Sequence, residues 1–430
     1  MVPDLQQHIE AIPLVDTHEH MKREAAWVEN GPDILQDLFG NYVHADLRTA
    51  GATPEALGRL LDGSDSDISS RFLGIEEAWR AAQFTGYGEA VRLIGKHVYG
   101  LDEFTADGLD RVQSRIVEFR KEGERYRLLH DVANIDHVQT DDSTWQCAPY
   151  KSGLDFFLYD LSWQTFCSGD IDPELIYNET GIEVKSISSL RQAMASIFER
   201  NAPYAIAVKT QHAYRRTLGW TNRSDADAEL ALERILCRPK TEIGVSTDNC
   251  LGDWCWAQGV ELSIEYNLPF KIHTGYYAGN NRMPVRRIHT GNMCDLFARY
   301  VEARFVLMHI AYPYCDELTA IAKHYSNIWV DLCWAWSIDP YSSRDFVRKF
   351  IHAVPINKLF AFGGDTSWPT NAMAYAIQAR HGICGALEAE VSDGYLSEKQ
   401  AMGIASNIMY KNQYTCFDVE GTRENIRALG

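Results

Sequence analysis

Short apolar runs recur along the chain, each bounded by polar or turn residues. Eight of them read as strands: Pro13–His18, Ile135–Thr140, Leu154–Leu161, Tyr204–Lys209, Pro269–Thr274, Arg304–His309, Ile328–Cys333 and Leu359–Gly364. Most are continuous rather than alternating, the pattern of parallel strands covered by helices. Between them, Ser188–Arg200 carries apolar residues at Leu190, Ala193, Met194 and Ile197, the 3/4 spacing of a helix face. Asp225–Cys237 places its acidic residues early, where the helix dipole favours them. Trp256–Tyr266, Pro313–Tyr325, Ser342–Ala353 and Thr370–Glu390 read the same way, and Glu398–Tyr410 adds a last helix. This alternation predicts a parallel α/β fold, and eight strands predict a closed (β/α)₈ TIM barrel.

One gap breaks the pattern. The first strand ends at His18 and the second begins at Ile135, too far apart for a single crossover helix. Its last part, Leu109–Leu129, reads as the first barrel helix. Residues 25–105 read as a helical cap inserted after strand one, over the barrel mouth. A separate N-terminal domain is the alternative, disfavoured because the first strand precedes the segment. The whole chain, 1–430, is therefore expected to be one barrel with an insertion.

Composition narrows the partners. The chain carries a formal net charge of −18 over 430 residues. That argues against a nucleic-acid partner, which needs Lys/Arg contacts to phosphate, and against docking on an anionic membrane. The ten cysteines form no CxxC pair and read as buried, reduced thiols. Met1–Pro13 lacks a basic segment followed by an apolar run, and no apolar stretch is long enough to span a bilayer. Cytoplasmic residence is the expectation, and a homo-oligomer is compatible with it.

The chemistry sits at the ends of the apolar runs. In Val15-Asp16-Thr17-His18-Glu19-His20, residues two apart on a strand point the same way, so His18 and His20 can reach one metal ion. Glu19 should face away, in a salt bridge behind the site. His-x-His alone is weak, since 14 His in 430 residues give roughly 0.5 matches by chance. The other strand ends strengthen it: Lys209, His273 and His309 each close an apolar run, and Asp365 follows Phe360–Gly364. In a barrel these ends converge on the face where active sites lie. Imidazole and carboxylate suit zinc and related divalent ions, with manganese or iron as alternatives. Lys209 is the odd member, because an ammonium is no metal ligand. It reads either as a lysine that reacts with CO₂ to give an anionic carbamate, or as a plain lysine that binds a substrate carboxylate.

Taken together, Asp-Thr-His-Glu-His, Lys-x₄-Tyr-Arg, Ile-His-Thr-Gly, Met-His-Ile-Ala-Tyr-Pro-Tyr and Gly-Gly-Asp resemble the amidohydrolase superfamily. Within it the chain is similar to the amidohydrolase 2 branch and to the amidohydrolase-like N-terminal domain of FluG-type proteins. The resemblance runs from strand one to strand eight and covers the cap least. It implies two divalent ions, the more buried held by His18, His20 and Asp365 and the second by His273 and His309. Carboxylated Lys209 would bridge them. Asp365 and His309 are the catalytic candidates, with Asp365 taking the proton of a metal-activated hydroxide and passing it to the leaving group. Some branch members keep one metal and lack the lysine.

Tyr214, Arg215 and Trp334 are candidate substrate-binding residues, and Arg216 is weighed beside Arg215 because an Arg near a site suits a carboxylate. His212 reads as a stray ligand or a packed histidine. Trp220, Trp254, Trp256, Trp336 and Trp368 also follow strands and could line an apolar pocket. Thr274–Asn281 is Gly-rich but lacks the context of a phosphate loop, so it reads as a substrate loop. The expected function is hydrolysis of an amide, lactone or related C–N or C–O bond in a small, carboxylate-bearing molecule. Two alternatives stand beside it: a mononuclear-metal decarboxylase or sugar-acid isomerase on the same fold, and a non-catalytic metal-binding protein.

Overall fold

The structure is a computed structural model and describes residues 3–147, 152–153, 155–243 and 247–429. Eight parallel strands follow in chain order: β1 Leu14–Glu19, β2 Ile135–Thr140, β3 Phe157–Ser162, β4 Ala205–Thr210, β5 Phe270–Ile272, β6 Phe305–Leu307, β7 Ile328–Asp331 and β8 Leu359–Phe360. Each pairs with the next. The chain leaving β8 returns to β1 through Thr17 N to Phe362 O at 3.1 Å, Asp365 N to His18 O at 2.9 Å and His20 N to Thr366 O at 2.8 Å. These bonds complete the barrel and press Asp365 against the His18–His20 edge.

All eight expected strands form, although Leu154, the expected start of β3, lies outside the described residues. The helix expected to start at Trp256 begins at Asn249, because Asp248 caps it by accepting from the Cys250 and Leu251 amides. The helix expected over Leu109–Leu129 is broken into Ala106–Val112, Ile116–Phe119 and Glu124–Arg127. Gly123, in the left-handed region at φ 83°, divides the last two. All ten cysteines are free thiols, but only five are buried and Cys237 is exposed. Among the described residues no helix is long and apolar enough to cross a membrane.

The barrel interior is layered. Leu158, Ile206, Val306 and Phe360 pack on Cys416, Phe417, Val419 and Ile426, so the C-terminal segment stoppers the end away from the strand C-termini. Between β1 and β2 the chain forms seven short α-helices within Glu24–Ile94. Asp33, Thr53, Asp67 and Thr85 cap four of them through side-chain oxygens, which explains how a Gly-rich stretch stays helical. This segment touches the loops after β8 and β5, where Tyr42 Oη donates to Asp365 O at 2.5 Å and Asn280 Nδ2 to Ala45 O at 3.1 Å, and the helix Pro369–Ser392, where Gln378 Nε2 donates to Gly86 O at 2.7 Å.

Close packing is severe where β8 meets β1. A Cβ on Gly364 would overlap Glu19 Oε1, and one on Gly363 would lie 2.8 Å from Cys333 Sγ. Gly364→Ala is expected to destabilise by about 1–3 kcal/mol, because Glu19 is buried and cannot swing away. A urea midpoint equal to the parent's would contradict this packing.

Candidate metal centre

The strand ends bring the predicted groups together. Asp365 Oδ1 lies 3.5 Å from His18 Nε2 and 3.4 Å from His20 Nε2, while Oδ2 lies 3.8 Å from His309 Nε2. His309 Nε2 lies 2.9 Å from His273 Nδ1, and Lys209 Nζ lies 3.4 Å from His18 Nε2. Among the described residues, His18, His20 and Asp365 can each offer one ligand atom within 4.8 Å of the others. Two ligands of one tetrahedral zinc, each at about 2.0–2.1 Å, stand roughly 3.3 Å apart, so the spacing of this trio fits one ion.

Hydrogen bonds fix which nitrogen each imidazole presents. A carbonyl oxygen only accepts, so a ring nitrogen bonded to one must carry the proton. His20 Nδ1 donates to Asp141 O at 2.8 Å, His309 Nδ1 to Cys333 O at 2.9 Å and His273 Nε2 to Tyr276 O at 3.0 Å. The opposite nitrogens then face the centre as lone pairs. In particular, His309 Nε2 and His273 Nδ1 oppose each other at 2.9 Å as two acceptors, an arrangement that calls for a cation. Burial keeps the His18, His273 and His309 rings neutral. The pKa of His309 is pulled down to about 3 by burial first and then by the Lys209 charge. Burial also holds His18 and His273 well below the ordinary imidazole value, helped by Lys209 for His18 and by His309 for His273. Neutral imidazoles and one carboxylate are the donor set a divalent ion takes.

The backbone here is strained. His309 (φ 61°), Trp334 (φ 60°) and Asp365 (φ 57°) all adopt left-handed conformations just after β6, β7 and β8. Each costs about 1–3 kcal/mol for a non-glycine residue, and such strain clusters at functional sites.

Of the candidate substrate residues, Tyr214 and Trp334 join the centre. The Tyr214 ring lies 4.8 Å from His273 and stacks on Tyr277 at 4.5 Å. Trp334 meets His309 edge-on at 5.5 Å and packs under Tyr42 at 4.3 Å. Arg215 is half-buried and pairs with Asp170 Oδ2 at 2.8 Å; Arg238 takes Oδ1 at the same distance, so two cations share one carboxylate. Arg216 is buried on Asp253, with no part in the centre. His212 is packed edge-on against Trp256 at 4.4 Å, away from the centre. Of the remaining tryptophans, Trp368 lines a cavity of about 380 Å³ beside His20 and Asp365, together with Lys22, Asn41 and Tyr42. Trp220, Trp254 and Trp336 instead donate to Asp253 O, Asp225 Oδ1 and Ala361 O.

Glu19 departs from expectation. It is buried beside Asp16 and Thr366 and, among the described residues, forms no ion pair. Burial, then the Asp16 charge, raises its pKa well above the usual range. Lys271, the buried cation that bonds Thr17 O, is paired with Asp160 instead.

Three residues at the centre escape the sequence reading. Lys271 and Asp160 stand inside apolar strands, and a charge in such a run, two residues before a strand-end histidine in the case of Lys271, is the signal that could have found them. Tyr42 has no such signal, since nothing local to it shows that its segment folds over β8.

The amidohydrolase family model (Amidohydro_2) matches residues 182–397, half of the chain. The chain belongs to this family. It is also 28% identical over 235 residues to the protein fluG of Emericella nidulans, a match covering 50% of this chain and 26% of that protein. The chain thus spans about a quarter of the length of that relative. Among solved structures it is similar to a uronate isomerase from Thermotoga maritima (TM-score 0.79, 14% identity, 96% of each chain). A glucuronate isomerase from Caulobacter crescentus (TM-score 0.75, 17% identity, 97% of this chain and 93% of that one) shares the fold as well. So does a putative metal-dependent hydrolase from Lactobacillus casei (TM-score 0.66, 14% identity, 97% and 98%).

Proposed function

We propose that this chain is a metal-dependent hydrolase that cleaves an amide, lactone or related bond in a small carboxylate-bearing molecule. His18, His20 and Asp365 would hold one ion, and His273 and His309 a second, with Lys209 as a bridging carbamate. The observation that carries the reading is Lys209 itself. It is fully buried, and among the described residues its ammonium has a single hydrogen-bond contact, His18 Nε2, and no ion pair. A buried ammonium with no carboxylate in contact is costly, and this one faces a nitrogen needed as a lone pair. Carboxylation turns that cation into an anion with two oxygen donors.

When bound, divalent ions would polarise the substrate carbonyl and acidify water. Asp365 accepts the proton of the attacking water and returns it to the leaving nitrogen or oxygen, so the carboxylate is regenerated. The helices within Glu24–Ile94 act as the cap, excluding bulk water and closing the cavity with Asn41 and Tyr42. Arg215, half-buried beside Asp170, would bind a substrate carboxylate. Arg215→Met is accordingly expected to raise KM with little change in kcat; unchanged kinetics would remove it from the site.

A specific observation favours a second reading. His18, His20 and Asp365 form a compact trio by themselves, while His273 and His309 face each other. A one-ion sugar-acid isomerase would need no more than the trio, and two proteins of similar fold are uronate or glucuronate isomerases. Metal-loaded protein assayed on N-acyl amino acids, lactones and hexuronates separates the two. Hydrolytic products with about two ions per chain support the hydrolase; aldose–ketose interconversion with one ion supports the isomerase.

A further inference from the structure

The four imidazoles at the centre differ in what backs them. His20, His273 and His309 lean on backbone carbonyls. His18 does not: among the described residues its buried Nδ1 has no hydrogen-bond partner, and Asp160 Oδ2 lies 3.7 Å from it. That is about 0.8 Å beyond an ordinary N–H···O length, a gap that a modest rotation of the ring closes.

Asp160 is held unusually firmly for a carboxylate inside a barrel. Lys271 Nζ donates to Asp160 Oδ1 at 2.8 Å and Oδ2 at 2.9 Å, and to Thr17 O, next to His18, at 2.7 Å. The Lys271 ammonium also sits 5.3 Å from the Phe417 ring centroid. Both side chains of the pair are fully buried. Replacing a buried ion pair with apolar residues is often neutral or stabilising, so stability alone does not account for it. Ile206, Val306 and Phe360 show that this interior takes apolar residues readily. What the pair does supply is a fixed acceptor behind one imidazole and a clamp on the carbonyl of the preceding residue.

We propose that Asp160, fixed by Lys271, is a positioning residue for His18. It accepts the Nδ1 proton, so Nε2, on the side of Asp365 and Lys209, is the ligating atom, and it makes this imidazole a stronger donor than its three carbonyl-backed neighbours. The inference rests on the metal-centre reading above. Partners of this kind, one shell behind a metal ligand, are worth about 10–100-fold in metal affinity.

The test is zinc binding to metal-free full-length protein, titrated against a chromophoric chelator. Asp160→Asn alone would strand the Lys271 charge, so the neutral double variant Asp160→Asn/Lys271→Met is the main probe, with thermal unfolding of the metal-free protein as control for folding. The double variant is expected to fold and to bind its tightest zinc about 10–100-fold more weakly than the parent. Parent-like affinity would overturn the proposal. Should the double variant fail to fold, ¹⁵N-edited NMR of the zinc-loaded parent decides. A His18 ring protonated on Nδ1, with its proton shifted downfield as in a carboxylate hydrogen bond, supports the proposal; ligation through Nδ1 overturns it. His18→Ala separates the two levels. If it binds zinc as the parent does, the metal-centre reading falls; if it loses zinc while the double variant does not, only the role of Asp160 falls.

Discussion

Asp365→Asn is expected to lower kcat/KM by about 10²–10⁴-fold while leaving the fold intact. The substitution keeps shape and removes two things: the charge that holds a cation between His18, His20 and His309, and the only carboxylate among the described residues that reaches all three rings. Asn tolerates the left-handed backbone that Asp365 adopts at φ 57°, so the strained turn after β8 survives. The backbone amide at this position still donates to His18 O, and its carbonyl still accepts from Tyr42. Unfolding of the metal-free variant should therefore match the parent while turnover collapses. Burial raises the Asp365 pKa, opposed by the His20 and Lys209 charges, in keeping with the proton transfer proposed for it. An Asp365→Asn variant that retains parent kcat would exclude Asp365 as the proton-transfer group.

Lys209→Ala carries the second large effect: loss of about one metal per chain and of most activity, with partial rescue by a short carboxylic acid in solution. Four neutral imidazoles and one carboxylate leave two dications with about +3 to be balanced, which is costly in a partly desolvated site. A carbamate on Lys209 and a bridging anion bring that near +1, whereas an ammonium there adds to the excess. Modification and second ion should thus appear or vanish together. The measurement is metal content by emission spectrometry alongside ¹³C NMR of protein grown in labelled bicarbonate. Full metal content and turnover in the variant would leave the one-ion isomerase reading in its place.

Much of this arrangement is legible in the sequence, for a physical reason. Parallel strands buried on both faces must be continuous apolar runs, so a His, Lys or Asp at the end of one is conspicuous, and barrel topology alone brings such ends together. Asp365 belongs to that class even though β8 is only two residues long, because Phe360–Gly364 still reads as a run. What stays hidden depends on long-range contacts. Glu19 alternates away from His18 and His20 as strand geometry demands, but its neighbour proves to be another carboxyl rather than a cation. Asp160 and Lys271 find each other across β4, and Tyr42 reaches Asp365 from 323 residues away in the chain. The Arg215–Asp170 pair likewise could not be read from either residue's local sequence.

Whether these strand ends form one metal centre is tested most directly by anomalous diffraction at the zinc edge, from crystals of zinc-loaded protein. A peak is expected at bonding distance, about 2.0–2.2 Å, from His18 Nε2, His20 Nε2 and an Asp365 oxygen, with a second near His273 and His309. Zinc bound elsewhere, or no peak within about 5 Å of those three groups at full loading, would contradict it.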